Sequence, residues 1–214
     1  MLDRSAPQSK RPSSGGLEGA LKVVSQKREQ ILQGAMQVFL ASGYASTSMD
    51  RVAAVAGVSK QTIYSHFQDK EGLFKALMER VTFDRVRNFL GKEEILGEPE
   101  VVLPQLAEFF LTVVADQEYL SLLRLIIAES VRFPELAQLY TRSVIQRGRQ
   151  LLSRYFQSRP ELDIADPEAM AQIFVGSLVS YVLAQEILYG KETIPLERDR
   201  VITSLVDLML RTKK

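Results

Sequence analysis

Residues 59 to 66 carry a hydroxyl, ammonium, amide, phenol or imidazole group at every position except Ile63. These groups donate or accept hydrogen bonds, and none of them is a carboxylate. Such a set suits DNA, because phosphates repel carboxylates while base edges and phosphate oxygens bind the other groups. The run therefore predicts a segment that contacts a DNA groove.

His66 is the only histidine of the chain, and the chain has no cysteine. A metal site there would need carboxylates as its other ligands, and a catalytic histidine would need a reactive group beside it. The sequence offers no such cluster, no glycine-rich phosphate loop and no nucleophile-base-acid grouping. We predict no enzyme activity, no metal and no cofactor. For His66 we favour a phosphate contact, and a cap at the end of its helix is the alternative.

Two short helices joined by a tight turn position these side chains, in the form of a helix-turn-helix. Ser48 supplies an N-cap oxygen for the first helix, and Gly57 ends it because glycine tolerates a positive φ. On the second helix, Ile63 and Phe67 are four positions apart and point into the core. Gln61 then lies on the opposite, exposed face. An ordinary corner between two helices with a solvated polar face is the alternative interpretation.

The rest of the chain predicts an all-α fold of about nine helices. Apolar residues recur at helical spacing from about Lys22, and neither period-two alternation nor a hairpin turn signal is found. The other predicted helices span residues 22–43, 70–92, 100–116, 118–132, 134–157, 166–189 and 195–211.

The composition of the chain indicates where the protein is located and what kind of partner it binds. Residues 1–70 hold nine Lys and Arg against five Asp and Glu, whereas the remainder holds 18 against 21. A basic front end suits a polyanion. The absence of cysteine fits a reducing compartment, and no apolar run reaches the roughly 18 residues of a membrane span. We predict a soluble cytoplasmic protein with no membrane segment.

Residues 28–74 resemble the N-terminal DNA-binding domain of TetR/AcrR-type transcriptional regulators. The matching residues are Ala35, Phe39, Gly43, Tyr44, Ser48, Val52, Ala53, 56–59, 62–64, Phe67, Lys70, Glu71 and Leu73. The resemblance implies that Lys60, Gln61 and Tyr64 approach bases. It implies backbone contacts for Ser48, Thr62, His66 and Lys70. Many members have glycine at the position of Gln61, so this chain departs from them where a long side chain could read a base.

The predicted DNA-binding set combines these residues with the exposed face of the second helix. It comprises Ser48, Ser59, Lys60, Gln61, Thr62, Tyr64, Ser65, His66 and Lys70.

Residues 122–140 resemble the C-terminal domain of AefR-like members of that family, through Glu129 and residues 132–136. The resemblance implies a small-molecule effector and a homodimer. Residues 118–132 are apolar nearly all round. Arg124 and Glu129 lie within this segment, so they could face a cavity, although a surface or structural role is equally consistent. Aromatic residues nearby could line a ligand pocket or fill the core. The candidate ligand residues are Phe110, Arg124, Glu129, Phe133, Tyr140, Phe174 and Tyr181.

The last two predicted helices suit a dimer interface. Gly176, Ser180 and Ala184 form a stripe of small residues along which a second helix can approach closely. The final helix has an apolar face made of Val201, Ile202, Leu205, Leu208 and Met209. Two copies could form a four-helix bundle across a two-fold axis, which would pair the DNA-contacting helices. The alternative is that both helices cover the core of their own chain.

We thus divide the chain into a disordered arm (1–21), a DNA-binding domain (22–70) and a helical effector-binding and dimerisation domain (71–214). The predicted function is a ligand-responsive repressor that binds a palindromic double-stranded operator. An activator of the same fold and a helical protein-interaction module that does not bind DNA are the alternatives.

Overall fold

The computed structural model describes residues 14–90 and 94–211, with side chains described over 23–82 and 94–211. These residues are helical with no strand, which confirms the predicted fold class. The first helix begins at Ser14, earlier than the predicted start near Lys22, so it includes the last part of the arm that we predicted to be disordered. Residues 1–13 of that arm lie outside the described residues.

Ten α-helical segments follow one another. They are α1 (Ser14–Ser46), α2 (Met49–Ala56), α3 (Lys60–Phe67), α4 (Lys70–Leu90), α5 (Pro99–Val114), α6 (Gln117–Glu129), α7 (Pro134–Tyr140), α8 (Gln146–Gln157), α9 (Pro167–Val182) and α10 (Arg198–Leu210). A π-helical stretch, Thr141–Ile145, joins α7 to α8, so the described residues form nine continuous helices. A second one, Leu183–Ile187, extends α9. The final helix starts at Arg198, three residues after its predicted first residue, Pro195.

Helices α1 to α3 pack through a close crossing of α1 and α2. A Cβ atom at Gly34 would lie 2.8 Å from the Cβ of Ala56, so only glycine allows this approach. The Gln30 side chain donates to the Ala56 carbonyl at 2.6 Å, which satisfies a carbonyl that the end of α2 leaves free. The crossing thereby fixes the helix that precedes the turn into α3.

The domain predicted at residues 71–214, called the rear domain below, has a continuous core between α5, α6, α8, α9 and α10. Phe156 of α8 and Phe174 of α9 are 2% exposed, and their rings meet edge to face at 6.4 Å. Ile202, Leu205 and Met209 of α10 are buried in the same core.

The buried face of α10 corrects part of the predicted dimer interface. Ile202, Leu205 and Met209 lie at a spacing that puts them on one side of the helix, and the chain itself covers them. They are core residues, because α10 packs on α5 and α9 of its own subunit. Val201 is half-buried, whereas Leu208 is 67% exposed and remains open to a partner.

Two glycine-to-alanine changes should have opposite effects on stability. Gly34→Ala should lower the free energy of unfolding by about 1 to 3 kcal/mol, because the new methyl group overpacks the crossing with Ala56. Gly148→Ala should raise it by about 0.5 to 1 kcal/mol, because α8 is helical there and no atom lies within 4 Å of the new methyl group. Urea denaturation of both variants measures these changes. Equal shifts in the same direction would contradict the close crossing.

Candidate nucleic-acid interface

The turn between α2 and α3 has the predicted caps. The Ser48 hydroxyl accepts from the Arg51 amide at 3.2 Å, and Gly57 adopts φ 63° and ψ 39°. Ser59 caps α3 by accepting from the Thr62 amide at 3.1 Å. These local bonds set the direction in which α3 leaves the turn.

The exposed face of α3 consists of the predicted side chains. Ile63 and Phe67 are 0% and 5% exposed and anchor the helix, as their spacing predicts. On the other side, Gln61 and Tyr64 are exposed. Within the part of the chain that the structure describes, neither the Gln61 amide nor the Tyr64 hydroxyl has a hydrogen-bond partner. Both remain available to a ligand.

Other groups of the predicted set bond within α3 itself. The Thr62 hydroxyl lies 2.7 Å from that of Ser59, and the Ser65 hydroxyl donates to the Thr62 carbonyl at 2.8 Å. A hydroxyl that donates locally must give up that bond to donate to a phosphate. His66 is half-buried, and its ring centroid lies 5.8 Å from that of Phe67.

Lys60, the first residue of α3, forms an ion pair with Asp50 of α2. The Nζ to Oδ2 distance is 2.8 Å, and the side chains are 49% and 68% exposed. The hydrogen bond that Lys60 donates to Asp50, followed by the negative charge of Asp50, raises the pKa of Lys60. Asp50 was not part of the predicted set, and neither was Arg51, an exposed cation of the same turn. Their place next to the cap Ser48 was the signal that could have identified them.

Lys70 has a structural role in addition to the predicted phosphate contact. Its Nζ donates to the carbonyls of Tyr44 at 3.0 Å and Ala45 at 3.3 Å, and it lies 4.5 Å from the centroid of the Tyr44 ring. A lysine at carbonyls of a helix C-terminus is stabilising. Lys70 therefore ties the end of α1 to the start of α4, and a phosphate would compete with these bonds.

Glu129 and Phe133 contact the DNA-binding domain rather than a ligand pocket, which corrects two predicted pocket residues. The chain kinks at Gly43, with φ 73° and ψ 170°, and the next amide, of Tyr44, donates to Glu129 Oε1 at 3.0 Å. The Phe133 ring meets the Tyr44 ring edge to face at 5.6 Å. Burial raises the pKa of the Tyr44 hydroxyl to about 12.

Arg80 makes a second connection between the two domains. Its guanidinium contacts Glu29 of α1 at 2.6 Å and also Glu118 of α6. Only 14% of the Arg80 side chain is exposed, so water screens these charges less than it screens surface pairs. Helix α6 is thus attached to the DNA-binding domain at both ends.

Three other predicted pocket residues are packed into the protein. Tyr140 and Tyr119 share a hydrogen bond of 2.6 Å between their hydroxyls, and burial raises the pKa of both. Phe174 is a core residue, and Phe110 is a half-buried residue packed against the core. These aromatic residues fill the core, which was the alternative interpretation.

A cavity of about 330 Å³ lies at one end of the rear domain. Of the predicted ligand residues only Tyr181 lines it, and Arg124 reaches its border by donating to the Glu186 carbonyl at 3.0 Å. The Tyr181 hydroxyl donates to the Leu196 carbonyl at 3.0 Å, which ties the segment before α10 to α9. The lining residues include Leu111, Ala115, Tyr181, Val182, Gln185, Glu186, Lys191, Leu196 and Arg198.

Helix α9 exposes an apolar face. Ser180 is exposed, Gly176 and Ala184 are half-buried, and Ile173, Val179 and Leu183 are more than 40% exposed.

The same region, Pro167–Ile187, is long and apolar enough to cross a membrane by length and composition, although the sequence predicts no membrane segment. One such helix is weak support for a membrane segment, because core helices of soluble proteins share these properties. Among the described residues, no group of three metal-ligating side chains is found.

Two family descriptions match most of the chain. Residues 31–77 match "Bacterial regulatory proteins, tetR family", and residues 101–212 match "AefR-like transcriptional repressor, C-terminal domain". The second match alone covers more than half of the 214 residues.

Individual relatives agree with these descriptions. The uncharacterized HTH-type transcriptional regulator YhgD of Bacillus subtilis is 26% identical over 85% of this chain and 93% of its own length. The HTH-type transcriptional activator FasR of Mycolicibacterium smegmatis is 39% identical over 33% of this chain, a match that spans only 32% of FasR. A crystal structure of a putative TetR-family regulator from Mesorhizobium loti superposes with a TM-score of 0.66, at 28% identity over 88% of this chain and 96% of that one.

Proposed function

Because the chain belongs to the TetR family of bacterial transcriptional regulators, we propose that it is a homodimeric repressor that a small molecule releases from its operator. The observation that carries this proposal is the face of α3. Gln61 and Tyr64 are exposed there and have no hydrogen-bond partner among the described residues, while Ile63 and Phe67 fix the helix. The site of action is the cytoplasm, where bacterial DNA lies.

The operator should be partly palindromic, with half-sites about one helical turn apart or a small multiple of that, because a two-fold dimer presents α3 twice. A gel-shift with mixed genomic fragments at low salt tests the proposal. A helical module that binds only protein would retard none of them, and a protected site without two-fold symmetry would count against a dimeric reader.

An activator is the second candidate. Curated relatives include the repressor BepR of Brucella suis, 39% identical over 28% of this chain, and the activator FasR. Both matches are partial, so neither name decides the direction of regulation. Transcription from the bound promoter with and without the protein separates the two.

Gln61→Ala should weaken operator binding by roughly 1 to 3 kcal/mol and leave random DNA nearly unaffected, if this free amide reads a base edge. Fluorescence anisotropy on both duplexes measures the difference. Gln138→Ala, at an exposed position of α7, is the matched control and should change neither affinity. Equal losses on operator and random DNA would remove Gln61 from the base-reading set.

We propose that the dimer forms through α9. The support is its exposed apolar face, in which Gly176 and Ser180 leave room for a second helix between Ile173 and Leu183. Leu208 of α10 would lie at its margin, whereas the buried residues of α10 support that face from inside.

Ser180→Leu should loosen the dimer, at a typical overpacking cost of ~1 to 3 kcal/mol in each copy. Ser180 is exposed in the single subunit, so each subunit should stay folded. Sedimentation should show dissociation at concentrations where the wild type is dimeric, and operator affinity should fall with it. Gln138→Leu places the same side chain on α7 and should stay dimeric. A Ser180→Leu protein that is fully dimeric and binds normally would place this face elsewhere.

We propose that the effector binds in the cavity between α5, α9 and residues 191–198. Its volume of about 330 Å³ suits a small ligand. A movement of Glu186 would displace the Arg124 side chain, because the Arg124 guanidinium donates to the Glu186 carbonyl. Arg124 lies on α6, whose last residue Glu129 holds Tyr44. An effector can shift α3 along this route only if it binds the two states with different affinity.

Native mass spectrometry of protein purified from its own host should show a bound small molecule. Ala115→Phe should remove that mass, because Ala115 lines the cavity and the new ring would occupy it. Ala128→Phe, at an exposed position of α6 outside the lining, should retain it. A small molecule that stays bound to the Ala115→Phe protein would locate the effector site elsewhere.

A further inference from the structure

The Asp50–Lys60 pair lies within the proposed DNA interface. Asp50 is in the first turn of α2, and its carboxylate reaches across the turn to the first residue of α3. Among the ion pairs of the described residues, this is the only one that includes a predicted DNA-contacting cation. A carboxylate repels phosphates, so a carboxylate is unexpected at a surface that binds DNA.

We propose that Asp50 is a specificity-determining residue that suppresses binding to non-operator DNA by pairing with Lys60. A phosphate that approaches Lys60 also meets the Asp50 carboxylate 2.8 Å from the ammonium, so the net charge it encounters is close to zero. Non-specific binding is almost entirely electrostatic and therefore loses this contact. The inference rests on the proposed DNA binding.

The pair leaves Lys60 able to read a base. An ammonium has three donors, and one of them is directed at Asp50. The other two can reach the O6 and N7 acceptors of a guanine, which carry partial rather than full charges and are repelled little by the carboxylate. Asp50 also restricts the flexible Lys60 side chain to the side of α3 nearest α2. The same pair thus weakens a phosphate contact and orients a base contact.

Removal of the Asp50 carboxylate should leave the Lys60 ammonium unpaired and available to phosphates, without unfolding the domain. Both side chains are about half exposed or more, and exposed ion pairs contribute little to stability. Asp50→Asn should steepen the salt dependence of binding to scrambled DNA by about one counterion per subunit, with a slope contribution of about 0.9. For each subunit that contacts the DNA, this slope adds a factor of about eight, relative to the wild type, to the gain in non-specific affinity over a tenfold decrease in salt. The ratio of operator to scrambled affinity should fall accordingly.

The experiment uses the full chain in four forms: wild type, Asp50→Asn, Lys60→Ala and the double variant. Fluorescence anisotropy measures their binding to the operator and to a scrambled duplex over a salt series. Asp50→Asn should steepen the scrambled-DNA slope in the wild-type background and leave it unchanged in the Lys60→Ala background. Glu71→Gln removes another exposed acid from the first turn of a helix, α4, and controls for the change in net charge.

Two outcomes would overturn the inference alone. One is an unchanged slope for Asp50→Asn in a protein whose wild type binds and discriminates normally. The other is an effect that does not depend on the pair. An equal effect in the Lys60→Ala background would mean that the charge of Asp50 acts by itself, and an equal effect of Glu71→Gln would mean that only the net charge matters. A wild type that binds no duplex would instead overturn the proposed function, and this inference with it.

Discussion

Tyr44 joins the two domains through its backbone amide and through its ring. Its amide donates to Glu129 of the rear domain, and its carbonyl accepts from Lys70 of α4. The ring stacks on Phe39 at 5.8 Å, and the edges of Phe74 and Phe133 pack around it. The arrangement requires glycine at position 43, because φ there is 73° and a Cβ atom would lie 2.6 Å from Glu129 Oε1. The kink therefore needs glycine at position 43, and the kink places the Tyr44 amide at the Glu129 carboxylate.

Features that depend on near neighbours could be predicted from the sequence. The caps at Ser48 and Gly57 depend on residues within a few positions, and the burial of Ile63 and Phe67 follows from one helical turn. The all-α fold follows from the same periodicity. Partners far apart in the chain gave no such signal. Glu129 lies 85 positions from Tyr44, and its charge after an apolar segment suggested a cavity instead.

The errors about α10 and the aromatic residues have a related cause. Helical periodicity shows that one face is covered but does not identify what covers it, so Ile202 and Leu205 fitted a partner subunit as well as their own core. The exposed face of α3 is easier to predict, because it requires only that its polar residues lie opposite the buried Ile63 and Phe67. Helical periodicity does not show which of these side chains already has a hydrogen-bond partner. Lys60 donates to a carboxylate ten positions away in the chain.

Helix α6 is suited to transmit a change from the cavity because it is held at two separated points. Glu118 and Glu129 are 11 positions apart, or about 16 Å along a helix. If only Glu129 were held, rotation of α6 about that contact would absorb a displacement at Arg124, which lies between them. With Arg80 holding the other end, a displacement of α6 acts on α1 at two places, Glu29 and Tyr44. Since α1 crosses α2 at Gly34 with no spare space, a displacement of α1 must reach the turn that orients α3.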